Sequence, residues 1–351
     1  MNRNARPHPA GTKPLLRALA GEAGAPPPFW LMRQAGRYLP EYREVRASCG
    51  GFLDLCLTPK LAAEVTLQPI RRFGMDAAIV FSDILMVPLG LGQTVAFREG
   101  EGPVLEPVRS ADDLKRLSAA SVTERLAPVY ETLRLVASEL PADTALIGFA
   151  GSPWTVASYM VEGGTSRDFA AVKAWAFTEA HEFQGLVDLL VEATAVHLVG
   201  QAAAGAEVLQ LFDTWAGVLP EPFLRRFVFQ PTKEIVARVK RAFPHVPVIG
   251  FPRGIGALYA DYGRETGVDA VSLDSAVSVA WAAREIQKHI PVQGNLDPQV
   301  LVAGGAVLRA ETRRILDGFS AGPFVFNLGH GILPETPPDH VAELAQLIRA
   351  G

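Results

Sequence analysis

P-F-W-L-M-R-Q-A-G-R-Y-L-P-E-Y-R-E-V-R, residues 28–46, is the stretch around which the rest of the chain can be interpreted. It begins with a short apolar run, Phe29–Met32, of the kind that forms a buried strand. Directly after this run the segment carries Arg33, Arg37, Arg43 and Arg46. Guanidinium groups stay charged and present a rigid fork of donors that suits carboxylates. The pattern therefore predicts a shaped anion site at the end of a strand.

A second interpretation of this stretch stays open from spacing alone. Its glutamates stand at helical distances from the arginines, so the segment also fits an exposed helix stabilised by ion pairs. In that case Arg43 and Arg46 are structural, and Arg33 and Arg37 remain the candidates for anion binding.

The composition limits the classes of partner. Of the 351 residues 49% are hydrophobic, which is enough for a sizeable core. The formal net charge of −4 gives no basic surface for nucleic acid, so no nucleic-acid partner is predicted. An anionic small molecule must therefore be bound by a local cluster of cations.

The cysteines and the longest apolar segment indicate a cytoplasmic protein. Cys49 and Cys56 are the two cysteines, and the start of the sequence has no secretory apolar segment. Their spacing matches no common metal motif, so no metal site is predicted. The apolar segment 186–206 is interrupted by two acidic residues and a histidine. It is predicted to be a buried or amphipathic helix and not a membrane span.

Short apolar runs alternate with longer helical patterns along the chain. Each run is bounded by Gly, Pro or Asp, as is typical of strands buried on both faces. The candidate strands are Phe29–Met32, Ala77–Phe81, Ala145–Phe149, Val208–Phe212, Val246–Gly250, Ala270–Leu273, Pro291–Gln293 and Phe324–Asn327. Eight strands alternating with helices predict an α/β fold, a single-domain (β/α)8 TIM barrel, over a doubly wound sheet.

Two further segments complete the predicted organisation. Residues 1–14 lack periodicity and are expected to be a flexible N-terminal segment, followed by the catalytic barrel domain of residues 15–351. Two short strand-like runs within residues 93–107 predict a β-hairpin inserted after strand two.

Polar residues follow the predicted strands, where active sites of such barrels lie. Along the chain they are Arg33, Gln34 and Arg37, then Ser82 and Asp83, Tyr159, Asp213 and Thr214, the triplet P-R-G at 252–254, Asp274, the triplet N-L-D at 295–297, and His330. Taken singly, Asp274 fits a helix N-cap and Asp213 fits a turn or a cap. His330 stands between two glycines directly after a strand, where backbone freedom can expose a side chain.

The segment W-L-M-R-Q-A-G-R-Y-L-P-E-Y-R, residues 30–43, resembles the N-terminal signature of the uroporphyrinogen decarboxylase family. F-S-D-I-L, G-F-A-G-S-P-W-T, Q-L-F-D-T-W-A-G and F-N-L-G-H-G-I-L-P resemble further segments, so the resemblance covers the chain from about residue 15. It implies a cofactor-independent carboxy-lyase of tetrapyrrole synthesis. Such an enzyme converts the four acetate side chains of uroporphyrinogen III to methyls, giving coproporphyrinogen III and CO2. The resemblance also implies a homodimer.

The resemblance implies roles for individual residues. Arg33, Arg37 and His330 are expected to surround the substrate carboxylates, and Asp83 to accept hydrogen bonds from the pyrrole N–H groups. With Tyr159, these residues form the implied catalytic set. The implied substrate-binding set is Arg33, Gln34, Arg37, Arg46, Phe52, Asp83, Phe149, Tyr159, Phe212, Thr214 and His330.

Loss of CO2 from an acetate arm requires an acceptor for the electrons of the broken bond. The sequence has no P-loop and no convincing dinucleotide fingerprint, and the substrate can supply the acceptor when a pyrrole carbon is protonated. Asp83 is expected to stabilise the resulting cation, while Arg33 and Arg37 orient the departing carboxylate. Candidate proton donors are His330, Tyr159 and an arginine-bound water or carboxylate.

Two other functions stay open. Cobalamin-linked methyltransferases have a similar barrel, but they bind zinc through a His-x-Cys pair and a distant cysteine, a spacing that neither cysteine here has. A non-catalytic tetrapyrrole carrier would retain the fold without the chemistry. The complete set of polar residues after the strands argues against such a carrier.

Overall fold

The structure is a computed structural model that describes residues 13–98, 100 and 102–351. The predicted flexible segment 1–14 therefore lies outside the described residues, except for Lys13 and Pro14. Lys13 Nζ donates to the backbone oxygen of Thr144 at 2.8 Å and pairs with Glu207 at 2.6 Å. A helix begins at Pro14. These last two residues of the predicted loose segment are thus attached to the body of the protein.

The described residues form the following elements. The strands are β1 (Ala77–Ile79), β2 (Val95–Arg98), β3 (Gly102–Leu105), β4 (Ala145–Gly151), β5 (Val208–Asp213), β6 (Val248–Pro252), β7 (Ala270–Ser272), β8 (Val292–Leu296) and β9 (Phe324–Leu328). The α-helices are α1 (Pro14–Leu19), α2 (Pro40–Ala47), α3 (Phe52–Leu57), α4 (Pro59–Phe73), α5 (Met86–Leu91), α6 (Ala111–Leu114), α7 (Val122–Arg125), α8 (Ala127–Glu139), α9 (Pro153–Glu162), α10 (Ala170–Thr178), α11 (Ala180–Ala203), α12 (Glu221–Leu224), α13 (Gln230–Ala242), α14 (Tyr259–Glu265), α15 (Val279–Ala282), α16 (Pro298–Ala303), α17 (Gly305–Phe319) and α18 (Pro338–Ala350). Short 3-10 turns occupy Ala119–Ser121, Ala216–Val218 and Gly256–Leu258, and π-helical turns occupy Arg225–Phe229 and Ala283–Gln287.

Seven strands form one parallel sheet in the order β1-β4-β5-β6-β7-β8-β9. They confirm seven of the eight predicted strands, with ends that differ by a few residues. The predicted strand Val246–Gly250, for example, is observed as Val248–Pro252. All seven consist of buried residues apart from Phe212, because helices cover the sheet as expected for parallel strands.

The sheet is strongly curled. Gln293 on β8 donates to Gln210 on β5 at 3.2 Å and to Ser272 on β7 at 3.0 Å. Its amide oxygen also accepts from the Trp30 indole at 2.9 Å. Two strands separate β5 from β8 in the sheet, so side chains of these strands can meet only across a concave interior. Gln293 and its partners therefore mark the inner face.

The predicted first strand, Phe29–Met32, is reduced to a single bridge between Phe29 and Phe326. On the β9 side, Phe326 N donates to Pro28 O at 2.9 Å and Trp30 N donates to Phe326 O at 3.3 Å. On the β1 side, Asp76 N donates to Phe29 O at 2.9 Å. The segment of residues 28–32 thus contacts both edges of the curled sheet.

Side chains replace the missing ladder of this segment. Asn327 Oδ1 accepts from Met32 N at 3.0 Å, and Gln34 Oε1 accepts from Leu31 N at 3.1 Å. Arg33 then takes a positive φ of 62°, which a continuing strand excludes. The strand prediction was wrong here because these partners come from outside the apolar run.

The predicted hairpin region contains a two-stranded antiparallel sheet of β2 and β3. Val95 pairs with Leu105 and Arg98 with Gly102. This pair follows β1 and α5 in the chain and precedes β4.

Helix α11 is apolar and long enough to cross a membrane by length and composition, with a mean hydropathy of 1.4. However, 61% of the most apolar window is buried inside the protein. The helix packs against α9, α13 and β4. Within it, His197 is buried and makes a 3.2 Å hydrogen bond with the Tyr130 hydroxyl group. The segment predicted as a buried helix is observed as such.

Candidate active site

The floor of the site is apolar and belongs to the inner face of the sheet. Phe149 on β4 pairs in register with Gln210, and Phe212 on β5 pairs with Phe251 on β6. Paired residues of parallel strands share a face, so these rings lie on the same face as Gln210, which contacts Gln293. The ring centroids of Phe149 and Phe212 are 5.5 Å apart, and those of Phe212 and Phe251 are 6.2 Å apart, both edge to face. Phe149 and Phe212, which the resemblance places in the substrate-binding set, thus lie side by side on the inner face of the sheet.

Arg33 stands at the C-terminal end of the sheet in a left-handed backbone conformation. Its side chain is exposed, and no acceptor among the described residues bonds to its guanidinium group. The loop after β9 supports its aliphatic part, because a Cβ atom on Gly331 would come within 2.8 Å of Arg33 Cγ. Ile332 N also donates to Met32 O at 2.8 Å and joins the two segments. Arg33 is therefore positioned by its neighbours while its charge stays available.

Asp83 follows β1 and is half-buried. Its Oδ1 atom accepts from Leu85 N at 2.8 Å. Burial raises the pKa of this carboxyl to about 6, while the Leu85 N–H group and the Arg33 charge oppose the rise. Asp83 is consequently mostly ionised at neutral pH and lies within electrostatic range of Arg33.

His330 follows β9 and is also half-buried. Burial lowers its pKa to about 4; the charges of Arg33 and Arg253 add to this effect and Asp274 opposes it. The imidazole is therefore neutral at pH 7. The glycines beside His330 provide space and not the predicted backbone freedom, since neither has a positive φ. A Cβ atom on Gly329 would overlap the backbone of Ser275.

Tyr159 on α9 faces the same group of charges. Burial raises the pKa of its hydroxyl group, the Asp83 charge adds to the rise, and Trp215 and Arg33 oppose it. The centroids of the Tyr159 and Trp215 rings are 6.4 Å apart. Thr214 precedes Trp215 in the loop after β5 and is half-buried. The structure thus brings Arg33, Asp83 and Tyr159 together.

Gln34 does not face the cleft. It is fully buried, its Oε1 atom accepts from Leu31 N, and its Nε2 atom donates to Ala77 O at 3.0 Å. Its backbone oxygen accepts from the Tyr38 hydroxyl at 2.9 Å. The predicted contact of this side chain with a substrate is corrected, because both ends of the amide hold the turn that presents Arg33.

Arg37 and Arg43 differ in their contacts, and the role of Arg37 in anion binding stays a prediction. Arg37 is exposed, and Arg43 Nη1 donates to the backbone oxygens of Arg37 at 2.8 Å and Tyr38 at 3.4 Å. Glu41 pairs with Arg72 on α4 at 2.9 Å and not with an arginine of its own helix. The exposed-helix interpretation is therefore correct for Arg43 and wrong for the predicted ion pairs.

Arg46 and Phe52 lie beside the site. Arg46 Nη1 is 3.7 Å from Cys49 Sγ. Burial raises the pKa of the Cys56 thiol, the Asp83 charge adds to this rise, and the Arg46 charge opposes it. Asp83 and Arg46 are therefore both within electrostatic range of Cys56. The Phe52 ring is 5.8 Å from Phe81, the residue two before Asp83, and 4.6 Å from Phe97 on β2. Both residues are thus on the Asp83 side of the cleft.

Asp274 is not the predicted N-cap, since Ser278 caps α15. Asp274 Oδ2 accepts from Gly254 N at 2.7 Å and from the Tyr259 hydroxyl at 2.8 Å, and Oδ1 accepts from Ala276 N at 2.9 Å. Asp274 thus joins the loop that follows β7 to the loop and helix that follow β6.

Asp213 is buried in a different way. Its Oδ1 atom accepts from the Thr155 hydroxyl at 2.5 Å, whereas Oδ2 has no hydrogen-bond partner within the described part of the chain. Burial raises the pKa of this carboxyl to about 7. Taken in sequence, Asp213 fits a turn or cap residue, and its burial beside Thr155, 58 positions away, could not be read from its neighbours in the chain.

A separate cavity of about 290 Å³ lies between the loops after β6 and β7. Its lining includes Gly254, Val277 and Trp281, and its charged residue is Asp274. Such a lining does not suit a polyanion. Among the residues that the structure describes, no group of three or more His, Cys, Asp or Glu side chains could hold a metal ion.

We expect Gly331→Ala to lower kcat/KM by about tenfold or more, because the new methyl group displaces the Arg33 side chain. Displacing a group that binds the substrate lowers the rate of reaction. The φ of Gly331 is not positive, so alanine is compatible with the backbone. Gly24→Ala is the matched control, since no heavy atom lies within 4 Å of its new methyl group. Steady-state kinetics and thermal unfolding of both variants check this prediction. Equal activity of the two would contradict the positioning of Arg33 by Gly331.

Comparison with solved structures shows the fold. A methyltransferase from Methanosarcina mazei superposes with a TM-score of 0.75 at 19% identity, covering 96% of this chain and 97% of the other. A B12-independent methionine synthase from Shewanella superposes with a TM-score of 0.55 at 11% identity, covering 93% and 96%. At these identities the likeness concerns the fold alone.

Comparison with sequences is more specific. The family model described as uroporphyrinogen decarboxylase (URO-D) matches residues 11–351. The uroporphyrinogen decarboxylase of Rhodospirillum rubrum is 56% identical over 338 residues, covering 96% of this chain and 97% of the relative. That of Maricaulis maris is 54% identical over 341 residues, with coverage of 96% and 97%. Family match and identity extend over the segments that carry the site, and the chain belongs to the uroporphyrinogen decarboxylase family.

Proposed function

We propose that this protein decarboxylates the four acetate side chains of uroporphyrinogen III and releases coproporphyrinogen III, as an enzyme of tetrapyrrole synthesis. The observation that carries the proposal is the meeting of Arg33, Asp83, Tyr159 and His330 at one end of the curled sheet. Membership of the family supports it. The reaction as proposed needs no cofactor.

Binding of the polycarboxylate depends on local cations, because the net charge of −4 repels it. The guanidinium group of Arg33 is exposed and lacks an acceptor among the described residues, so it can bind a carboxylate without breaking an existing ion pair. Arg37 stands four residues further along the chain and is exposed as well. The aromatic floor of Phe149 and Phe212 offers an apolar surface for the pyrrole rings.

The chemical step uses the substrate as its own electron acceptor. A proton adds to a pyrrole carbon next to the acetate arm, and the electrons of the breaking C–C bond neutralise the cationic ring as CO2 leaves. The exposed methylene carbon then takes a proton and becomes a methyl group, and the added ring proton is lost. Asp83 accepts pyrrole N–H bonds, and its negative charge stabilises the cation.

The electrostatics favour one of the candidate proton donors. Burial lowers the pKa of His330 to about 4 and raises the pKa of the Tyr159 hydroxyl, so both groups favour the neutral form at pH 7. Neither is a good acid there. We therefore propose that an arginine-bound water or carboxylate delivers the proton, while neutral His330 donates a hydrogen bond to a substrate carboxylate.

The proposed architecture is a complete (β/α)8 barrel in one domain. Residues 28–32 bond to both edges of the seven-stranded sheet and would act as its eighth strand. The β2–β3 pair would be the hairpin inserted after the second strand. The homodimer and the cytoplasmic location stay predictions.

Anaerobic incubation of the purified protein with uroporphyrinogen III tests the function. Coproporphyrinogen III and four CO2 per ring are expected, measured by chromatography of the oxidised porphyrins and by trapping of labelled CO2. A tetrapyrrole carrier would bind the substrate and release no CO2. A methyltransferase would bind stoichiometric zinc in metal analysis and leave the substrate unchanged. Either result refutes the proposed function.

A further inference from the structure

Arg253, in the triplet P-R-G at residues 252–254, is a third cation at the mouth of the site. It follows β6, two residues after Phe251, whose register partner Phe212 lies on the inner face. Arg253 is the first residue of the turn that follows the strand, at the end of the sheet where this face meets the loops. Its charge acts on His330, as that of Arg33 does.

The strand order places Arg253 across the mouth from Arg33. β6 is the middle strand of the seven, and the segment of residues 28–32 contacts both outer edges of the same curled sheet. In a curled sheet the middle strand faces the gap between the edges. Arg33 directly follows the segment in that gap, so the backbones of Arg33 and Arg253 lie on opposite sides of the mouth.

Neighbouring loops fix the backbone of Arg253. Its N–H group donates to Asp213 O at 3.0 Å, and its carbonyl oxygen accepts from Gly217 N at 3.0 Å. The next residue, Gly254, donates to Asp274 Oδ2 at 2.7 Å. A Cβ atom on Gly217 would lie 2.5 Å from Gly254 O, so the two loops touch through glycines. Positioning of this kind is expected where a side chain must be in place before a ligand binds.

The guanidinium group of Arg253 has no acceptor among the described residues, although the side chain is half-buried. Arg225 has a similar exposure but is paired, since it bonds to Asp261 at 2.7 Å and to Glu265 at 2.9 Å. A cation withdrawn from water with no counter-ion favours an incoming anion. A substrate with carboxylate arms around a ring can satisfy cations on both sides of the mouth.

We propose that Arg253 is a specificity-determining residue that binds a non-reacting carboxylate arm of the substrate, on the side of the ring away from Arg33. This inference rests on the proposed function. Because the arm does not react, the interaction is the same in the ground state and in the transition state, and it contributes to KM and little to kcat. It also retains partly decarboxylated intermediates between successive steps.

Steady-state kinetics of Arg253→Gln with uroporphyrinogen III test the proposal. KM is expected to rise about tenfold to a hundredfold, the range of a lost charge-assisted hydrogen bond, with kcat changed less than about threefold. The variant should release more partly decarboxylated porphyrinogens at early times. Its kcat/KM should also depend less steeply on salt, since one ion pair is lost.

Arg313→Gln is the matched control. Arg313 is an exposed arginine on α17, away from the strand ends. Its replacement by glutamine changes the net charge by the same amount as Arg253→Gln does. Its KM and salt dependence should equal those of the unmodified protein. Arg253→Met serves as a second variant that removes the charge and keeps the aliphatic stem.

Three results would overturn the proposal. An unchanged KM in Arg253→Gln excludes carboxylate binding, and a fall in kcat alone assigns Arg253 to the chemical step. Loss of folded protein in both the Gln and the Met variants, seen by circular dichroism, assigns it to stability. Failure of the unmodified protein to form coproporphyrinogen is a separate result, which refutes the proposed function itself.

Discussion

Replacing Asp83 with asparagine is expected to lower kcat/KM by about a thousandfold or more and, at the same time, to stabilise the folded protein at pH 7. The loss of activity follows from the proposed role of the carboxylate. Asparagine can accept pyrrole N–H bonds through its oxygen, but it has no charge to stabilise the ring cation. Removal of a charge aimed at the developing charge of a transition state has effects of this size. Rates of CO2 release at saturating and low substrate concentrations measure it.

The gain in stability follows from the direction of the pKa shift. Burial raises the pKa of Asp83 to about 6, so the folded state binds the proton more tightly than the unfolded chain does. The contribution of this group to stability is therefore full below the unfolded pKa near 3.9 and is lost as the pH rises through 6. At pH 7 the ionised carboxylate costs roughly 2–3 kcal/mol relative to the protonated form. The asparagine side chain avoids this cost and still accepts from Leu85 N.

We thus expect Asp83→Asn to increase the free energy of unfolding by about 1–2 kcal/mol at pH 7 and to lose that advantage below about pH 4. Denaturant unfolding at several pH values measures the difference. Asp143→Asn, at an exposed position, is the control and should change neither activity nor stability. A destabilised Asp83→Asn variant would show that the carboxylate serves the fold, and full activity would remove it from the mechanism.

The strands were predictable because their signal is local. Apolar runs bounded by Gly, Pro or Asp mark strands buried on both faces, and seven of them pair as expected. The exception, residues 28–32, has the same local signal. Beyond a single bridge to β9, its backbone N–H groups are satisfied by the Asp76, Asn327 and Gln34 side chains and not by a continuing ladder. Contacts with residues 47 and 295 positions away cannot be read from an apolar run.

The site was predictable where a residue type and a strand end coincide with the family's segments. Arg33, Asp83, Tyr159 and His330 are of this kind, and the charge of Arg33 acts on the pKa of each of the other three. Partner choice was not predictable. Gln34 looks like a ligand in sequence, yet its amide is fully used by the turn.

The tertiary contacts of Asp274 and the position of Arg253 were also not predictable from local sequence. Asp274 looks like an N-cap, but its partners Gly254 and Tyr259 lie on the preceding strand's loop and helix. Arg253 stands in a Pro-Arg-Gly triplet that reads as an ordinary turn. Its position opposite Arg33 depends on the strand order and the curl of the sheet, which neither local pattern nor composition contains.

Arg33→Gln is expected to lower kcat/KM by about a hundredfold and to move the acid limb of the pH profile upward. The first effect follows from the loss of bidentate carboxylate binding at the mouth. The second follows from the charge of Arg33, which lowers the pKa of Asp83. Without that charge the pKa of Asp83 rises above about 6, so activity is lost at a higher pH as the solution is acidified. Profiles of kcat/KM between pH 5 and 8 measure the shift.

Two variants separate charge from geometry in this experiment. Arg33→Lys keeps the positive charge, so its acid limb should stay near pH 6 while kcat/KM falls through loss of the planar fork. Arg37→Gln should weaken substrate binding without moving the limb, because Arg37 is not among the groups that act on the pKa of Asp83. The positive φ of Arg33 is shared by the Gln and Lys variants, so their backbone strain is the same. An acid limb that stays in place in Arg33→Gln would show that Asp83 is not the group whose ionisation limits the reaction, and the cation-stabilising role would then have to be assigned elsewhere.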